Sequence, residues 1–371
     1  MLNDSLNLYL WDLEYDNKKR LKRGEAILEP AYGKDDVEKS LSLCKAGKYN
    51  VERPFHKNCR LNFHDAGHIL GSAIIELTLM EDNLSKTLVF SGDLGNKSSV
   101  LMKDPAQIES ADLVLMEGTY GNRNHRNMDE TLEQFSDILH ETWRAGGNVM
   151  IPAFAVGRTQ ELLFHLGCMH QDGKLDAWKI YLDSSMAIEV TDVYEECIQL
   201  LDEKDIKRLH LANHASLKSF LPQLEYTVTA EESQSIHEIK SGAIIIAGSG
   251  MCTGGRIRHH FKYGLSQKQN TVIFSGFQAM GTLGRLLVDG IKKVRLFKHE
   301  VHVNARIETL GGFSAHAGQT ELLNWASHIK SQPRIMLIHG EEKALEALAK
   351  ALNQECGLTS EIPYLGDQIS I

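Results

Sequence analysis

One local pattern recurs along the chain, and it restricts the fold more than any other feature. A short apolar run, rich in β-branched residues, stops at a turn of Gly, Ser, Asp or His, and a segment with helical spacing follows. KTLVF leads into SGDLG, ADLVLM into EGTYGN, NVMI into PAFAVGRTQELL and KIYL into DSSMAIEV. Further on, AIII leads into AGSGMCTGGR, TVIF into SGFQAMGTLGR and RIMLI into HGEEKALEALAKAL. Runs of this length bounded by breakers predict buried central strands. Ala344, Leu345, Leu348, Ala349 and Leu352 fall at helical intervals after the last of them. The chain is therefore predicted to be an α/β protein, with its polar chemistry at the carboxyl ends of its strands. A further helix predicted from Thr131 to Arg144 leads from one candidate domain into another, although composition alone marks no boundary.

At 371 residues the chain is long enough for two domains with real cores. Its six cysteines are scattered and form no CxxC pair, which suits reduced thiols in a cytosolic protein. The first residues lack a basic segment followed by an apolar core, and no apolar run approaches the ~20 residues that span a bilayer. A cytoplasmic protein with no membrane partner is expected. The net charge of −9 argues at first against nucleic acid. The charge is uneven, however: from Ser249 to Lys298 there are nine Lys or Arg and one acid, Asp289, leaving −17 for the rest. Such a stretch reads either as a chance cluster on a solvated helix or as the footprint of an anionic partner.

Three residues just past buried strands are suited to hold a metal: His68 in DAGHILGSA, Asp93 in FSGDLG and His339 in LIHGEE. Taken singly, each reads equally as a loop residue satisfied by backbone contacts. His64 lies four residues before His68, but Gly67 and the strand-like flanks weaken a helical pairing of the two. Glu117 reads by itself as a carboxylate after a strand, and His316 as a neighbour of Ser314 near a helix cap. SGMCTGGR follows one predicted strand and opens a helix, so its small residues can turn backbone N–H groups toward an anion. Ser249, Gly250, Gly254 and Gly255 are the phosphate-binding candidates there, with Arg256 and Arg258 adding charge. A glycine turn required for packing is the competing reading. Arg158 in VGRTQELL is a second basic candidate, or else pairs with an acid and braces its domain.

DAGHILGSA, FSGDLG, MEGTYGNR, PAFAVGRTQELL, SGMCTGGRIRHH, GTLGR, FSAHAGQ and LIHGEE together resemble the β-CASP family of metallo-β-lactamase-fold RNA-processing nucleases. The resemblance implies a metallo-β-lactamase-type αββα domain with an inserted α/β β-CASP domain. Its expected limits are 1–121 for the first part, 122–312 for the insertion and 313–371 for the return. It also implies two zinc ions, with His68 on one, Asp93 bridging both and His339 on the second. Glu117 matches the family's acidic motif, and His316 the histidine that protonates the leaving oxygen. The implied reaction is hydrolysis of an RNA phosphodiester by a metal-activated water, with RNA as partner and a homodimer as the implied assembly. An esterase or thioesterase of the same fold has no need of a basic groove that follows a backbone.

The chain departs from the family at one point. The HxHxDH run that supplies most of the ligands is absent, and the first residues resemble the stretch that follows it. Three of seven family ligands remain, about two per metal where a catalytic zinc keeps about three plus water. An internal start, a truncation or a non-catalytic RNA-binding subunit would each give such a sequence. Any of them is expected to leave an apolar sheet face or edge uncovered.

Overall fold

The computed structural model describes residues 2–82, 84–97, 99–175, 177–211 and 216–371. They divide into two compact units, Met1–Lys48 and Tyr49–Ile371. The first consists of helices Leu2–Lys22 and Lys34–Leu43 and the segment between them. That segment lies along the longer helix because Asn17 bonds both the N–H and the C=O of Leu28, at 2.8 Å each. Tyr9 accepts from the Ala31 amide at 2.7 Å and stacks on Tyr32 with centroids 4.9 Å apart.

The second unit is built on two large sheets. Among the described residues the first has seven strands, in the spatial order β1 (Arg53–His56), β2 (Cys59–Asp65), β3 (Ala73–Glu81), β4 (Leu84–Phe90), β5 (Leu113–Glu117), β14 (Arg334–Ile338) and β15 (Ser360–Glu361). The strands β1 to β4 form an antiparallel meander, and β4, β5, β14 and β15 run parallel. Ile74, Val89, Val114, Met116, Ile335 and Leu337 point to one face, where helices Gln319–Ser327 and Glu342–Ala351 pack on them. On the opposite face Phe63, Ile75, Leu77, Leu88 and Leu115 are half-buried and Phe90 is exposed. The sequence reading that an apolar sheet face is left open concerns these residues.

Among the described residues the second sheet has six strands, all parallel, in the order β13 (Arg306–Thr309), β10 (Thr271–Phe274), β6 (Val149–Pro152), β9 (Ala243–Ala247), β7 (Lys179–Asp183) and β8 (Leu224–Tyr226). A hairpin of β11 (Lys293–Leu296) and β12 (His299–His302) completes the unit. Parallel sheets need both faces covered, and the alternation of side chains along each strand supplies two cores here. Val149, Ile151, Ile180, Leu182, Ile244 and Ile246 face helices Met128–Arg144 and Arg158–Gln171. Met150, Tyr181, Ile245, Val272 and Phe274 face helix Ile257–Gly264 and the hairpin. Each buried aliphatic side chain contributes roughly 1.5–3 kcal/mol, and a slip of one residue would exchange the two faces of a strand, so the register is firmly set.

The order of elements places the polar turns. The chain leaves the first sheet after Glu117, builds the second from Val149 to Thr309, and returns at Arg334. Because β2 and β4 both oppose β3, the turns after β2, β4, β5 and β14 share one edge of the first sheet. Those turns carry His68, Asp93, Glu117 and His339.

Candidate active site

Glu117, the last residue of β5, is 1% exposed. Its carboxylate accepts from the Leu94 amide at 2.6 Å, from the Thr119 amide at 3.3 Å and from His316 Nδ1 at 3.1 and 3.2 Å. Burial alone would raise its pKa, but the bonds from His316, Thr119 and Leu94 outweigh it and hold the carboxyl below its ordinary value. For His316 the balance has the opposite sign. Burial opposes protonation, yet the hydrogen bond and charge of Glu117, with the charge of Asp93, raise the imidazole above its ordinary value.

The residues around His316 are held by main chain. Asn96 donates to Ala315 O at 3.0 Å and Ala317 to Leu94 O at 2.8 Å, which fixes His316 against Gly95. A side chain at Gly95 is excluded, because its Cβ would lie 2.0 Å from the Gly67 carbonyl oxygen. The turns carrying His68 and Asp93 therefore touch backbone to backbone. His68 and His316 rings lie 4.4 Å apart, and His316 and His339 rings 5.9 Å apart. Asp93 joins the group through Oδ2, 3.9 Å from His68 Nε2, and Oδ1, 3.3 Å from His339 Nδ1. His339 sits at φ 51°, a left-handed conformation that directs its ring from the end of β14.

The donor set suits a borderline-soft divalent ion. One ligand atom each from His68, Asp93 and His316 lies within 4.8 Å of the others. His68 turns Nε2 toward Asp93 Oδ2 from a side chain only 12% exposed. Burial, then His316, lowers the His68 pKa, which favours the neutral, ligating imidazole. His64 is separate from this group: it lies on β2 and is bonded to Asn50 and Glu76 at 2.9 Å each.

Two family models match stretches of the chain. One for the β-CASP domain matches residues 159–287, and one for the Zn-dependent metallo-hydrolase RNA specificity domain matches residues 300–363. Ribonuclease TTHA0252 of Thermus thermophilus is 40% identical over 324 residues, 87% of this chain and 72% of that protein. The chain belongs to the β-CASP family of metallo-β-lactamase-fold nucleases. Other β-CASP relatives include the RNase J-like protein of Methanocaldococcus jannaschii, 30% identical over 93% of this chain and 78% of its own length. Transcription termination factor FttA of Pyrococcus abyssi is 31% identical over 92% of this chain. The chain spans about half of that factor's length, 53%. The fold is thus a metallo-β-lactamase fold with a β-CASP insertion. Among the described residues no helix is long and apolar enough to cross a membrane.

The remaining β-CASP candidates lie across from the histidines, at the carboxyl ends of the second sheet. Ser249, Gly250, Gly254 and Gly255 form the turn after β9, closed by bonds between Ser249 and Gly254. Two contacts link this turn to the histidine group. Gln278 Nε2 donates to Gly250 O at 3.0 Å, and neighbouring Phe277 lies 6.5 Å from Tyr120, itself 6.2 Å from His316. Arg256 is occupied within the fold, donating to Asp183 Oδ1 at 2.7 Å and to the carbonyls of Thr227 and Val228. Asp183 has no exposure and also accepts from His260, Thr227 and Ser233. Burial would raise its pKa, but these bonds hold the carboxyl well below the usual carboxylate range. Arg258 lines a groove of about 410 Å³ with Thr253, Gly281, Lys293 and Arg295. Arg158 is buried and paired with Glu161, the bracing arrangement considered from sequence, yet its charge still reaches His316 and His125.

Sequence reasoning passed over two further groups. His125 Nε2 donates to His316 O at 2.9 Å and packs edge-on to Tyr120 at 4.4 Å, fixing the main chain of His316. Its position in GNRNH, directly after the quoted MEGTYGNR, is the signal that could have found it. Asp183, directly after KIYL, is the other: an acid at the buried end of a strand needs partners, and Arg256 is one.

Proposed function

We propose that the chain carries the RNA-hydrolysing centre of a cytoplasmic metal-dependent nuclease, with His316 as proton donor to the leaving oxygen. The observation that carries this reading is the bond of buried Glu117 to His316 Nδ1, beside the donors of His68 and Asp93. Glu117 fixes the tautomer and keeps the imidazole protonated, leaving Nε2 to release its proton into the cleft. His68, Asp93 and His339 hold the divalent ions, zinc by family. Bound there, the ions supply Lewis acidity and a water that ionises near neutral pH.

The insertion, residues 122–312, supplies the grip on the substrate. In its turn the Ser249 and Gly254 amides are engaged with each other, so those of Gly250 and Gly255 are the N–H groups that meet a phosphate. Arg256 serves that turn by tying it to Asp183. The groove at Arg258, with Arg158 behind the histidine group, adds positive potential along the strand of RNA. The positive charge is local: the stretch from Ser249 to Lys298 carries +8 within a chain of net charge −9.

The test is cleavage of end-labelled single-stranded RNA by the chain supplied with Zn²⁺ or Mn²⁺, alongside RNA binding at several salt concentrations. Turnover that falls about 10²–10⁴-fold in His316→Ala, with affinity retained, is the expected result. Salt-sensitive binding with neither metal uptake nor turnover would replace this reading with a non-catalytic RNA-binding subunit.

A further inference from the structure

Phe154 is exposed where its neighbours are not. It follows β6 between Ala153, 2% exposed, and Arg158, 8% exposed, yet is itself 46% exposed. It is not a loose loop residue. Ala153 N–H continues the sheet by bonding Ala247 O at 3.1 Å, and Phe154 O accepts from Thr159 Oγ1 at 2.7 Å. The ring rests on the glycine turn, since a Cβ at Gly250 would lie 2.7, 2.8 and 3.0 Å from three of its atoms. Gly250 must lack a side chain for the ring to sit there, and the rest of the ring is left to solvent. Three residues on, a Cβ at Gly157 would lie 2.6 Å from Ile69 Cγ2, next to His68. Three residues span at most about 10 Å, so the ring that rests on the glycine turn stands within that reach of the turn that packs against Ile69.

A rigid, half-exposed aromatic ring beside main-chain amides is the arrangement that receives an unpaired base of single-stranded nucleic acid: amides meet the phosphate and the ring meets the base. A base inside a duplex is stacked on its neighbours and has no free face to offer. We infer that Phe154 is a stacking platform for one unpaired nucleobase of an RNA strand held at the glycine turn. This rests on the RNA reading above and adds to it the residue that receives a base. The preference for a particular base is weak, because every base has a face to stack.

The experiment measures binding of the full chain, wild type and variant, to a fluorescently labelled unstructured RNA and to a duplex containing it. Phe154→Ala is expected to weaken single-strand binding about tenfold, with an unchanged salt slope because the ring neutralises no phosphate, and to leave duplex binding as it was. Phe154→Leu keeps the apolar contact with Gly250 and the wild-type melting temperature, yet loses single-strand affinity in the same way, whereas Phe154→Trp retains it. Equal single-strand affinity of Phe154→Ala and wild type overturns the inference, as does a parallel loss on single strand and duplex, which marks a merely structural ring. Absence of RNA binding by the wild type at low salt overturns instead the nuclease reading beneath it.

Discussion

The first sheet ends in side chains and the second in main chain, at the carboxyl ends of both. His68, Asp93, Glu117 and His339 project from the turns of the first, each with ionisable atoms near the others. The second contributes a glycine turn, an exposed ring and a set of charges mostly engaged with partners of their own. The two regions are also buried differently, the second sheet on both faces and the first fully on one. Side chains that lose or gain protons perform a reaction, whereas amides and rings of fixed position grip a chain of varied sequence. Changes at the first sheet should therefore lower turnover, and changes at the second should lower affinity.

The largest effect is expected from His316→Ala, a fall of about 10²–10⁴-fold in single-turnover rate with RNA affinity kept; a change confined to KM would erase the division. Next comes Asp183→Asn, which leaves Arg256 inside the second region without its counter-charge. A loss of about 3 kcal/mol in unfolding free energy is expected, read by denaturant titration, with RNA affinity falling and the rate at saturation unchanged. The sign with pH follows from the depressed carboxyl: its stabilisation is complete above the unfolded value of about 3.9 and disappears as pH falls through it toward the folded pKa. Melting temperatures of wild type and Asp183→Asn should accordingly converge in acid. A smaller effect is expected from Gly250→Ala, whose Cβ would press the Phe154 ring aside; affinity for single-stranded RNA drops several-fold, toward the level of Phe154→Ala, without loss of turnover. The smallest is a displacement. Because Glu117 raises the His316 pKa, the rate should decline as pH rises through a value above 6.5, and Glu117→Gln should move that decline to lower pH in a pH–rate profile.

Much of this was legible in the sequence because it is local. KTLVF, ADLVLM, NVMI, KIYL, AIII, TVIF and RIMLI all lie in parallel strands of the two sheets. The meander β1 to β3 was not foreseen, since a search for strand–turn–helix units does not register hairpins. The five cleft residues His68, Asp93, Glu117, His316 and His339 were legible through their motifs. The partners of the arginines were not: Arg256 and Asp183 are 73 residues apart, and no spacing rule joins them. Phe154 stood within a quoted motif, but its exposure depends on Gly250, a residue of another strand's turn.

Glu117 and His316 are 199 residues apart in sequence, with the whole second sheet between them, and His339 lies further still. On a translating ribosome the amino-terminal group of His68, Asp93 and Glu117 emerges first and has no imidazole to work with. The proton donor arrives only after the insertion has been made, and the left-handed turn at His339 after that. A site arranged in this order cannot be assembled until the residues through His339 have been made.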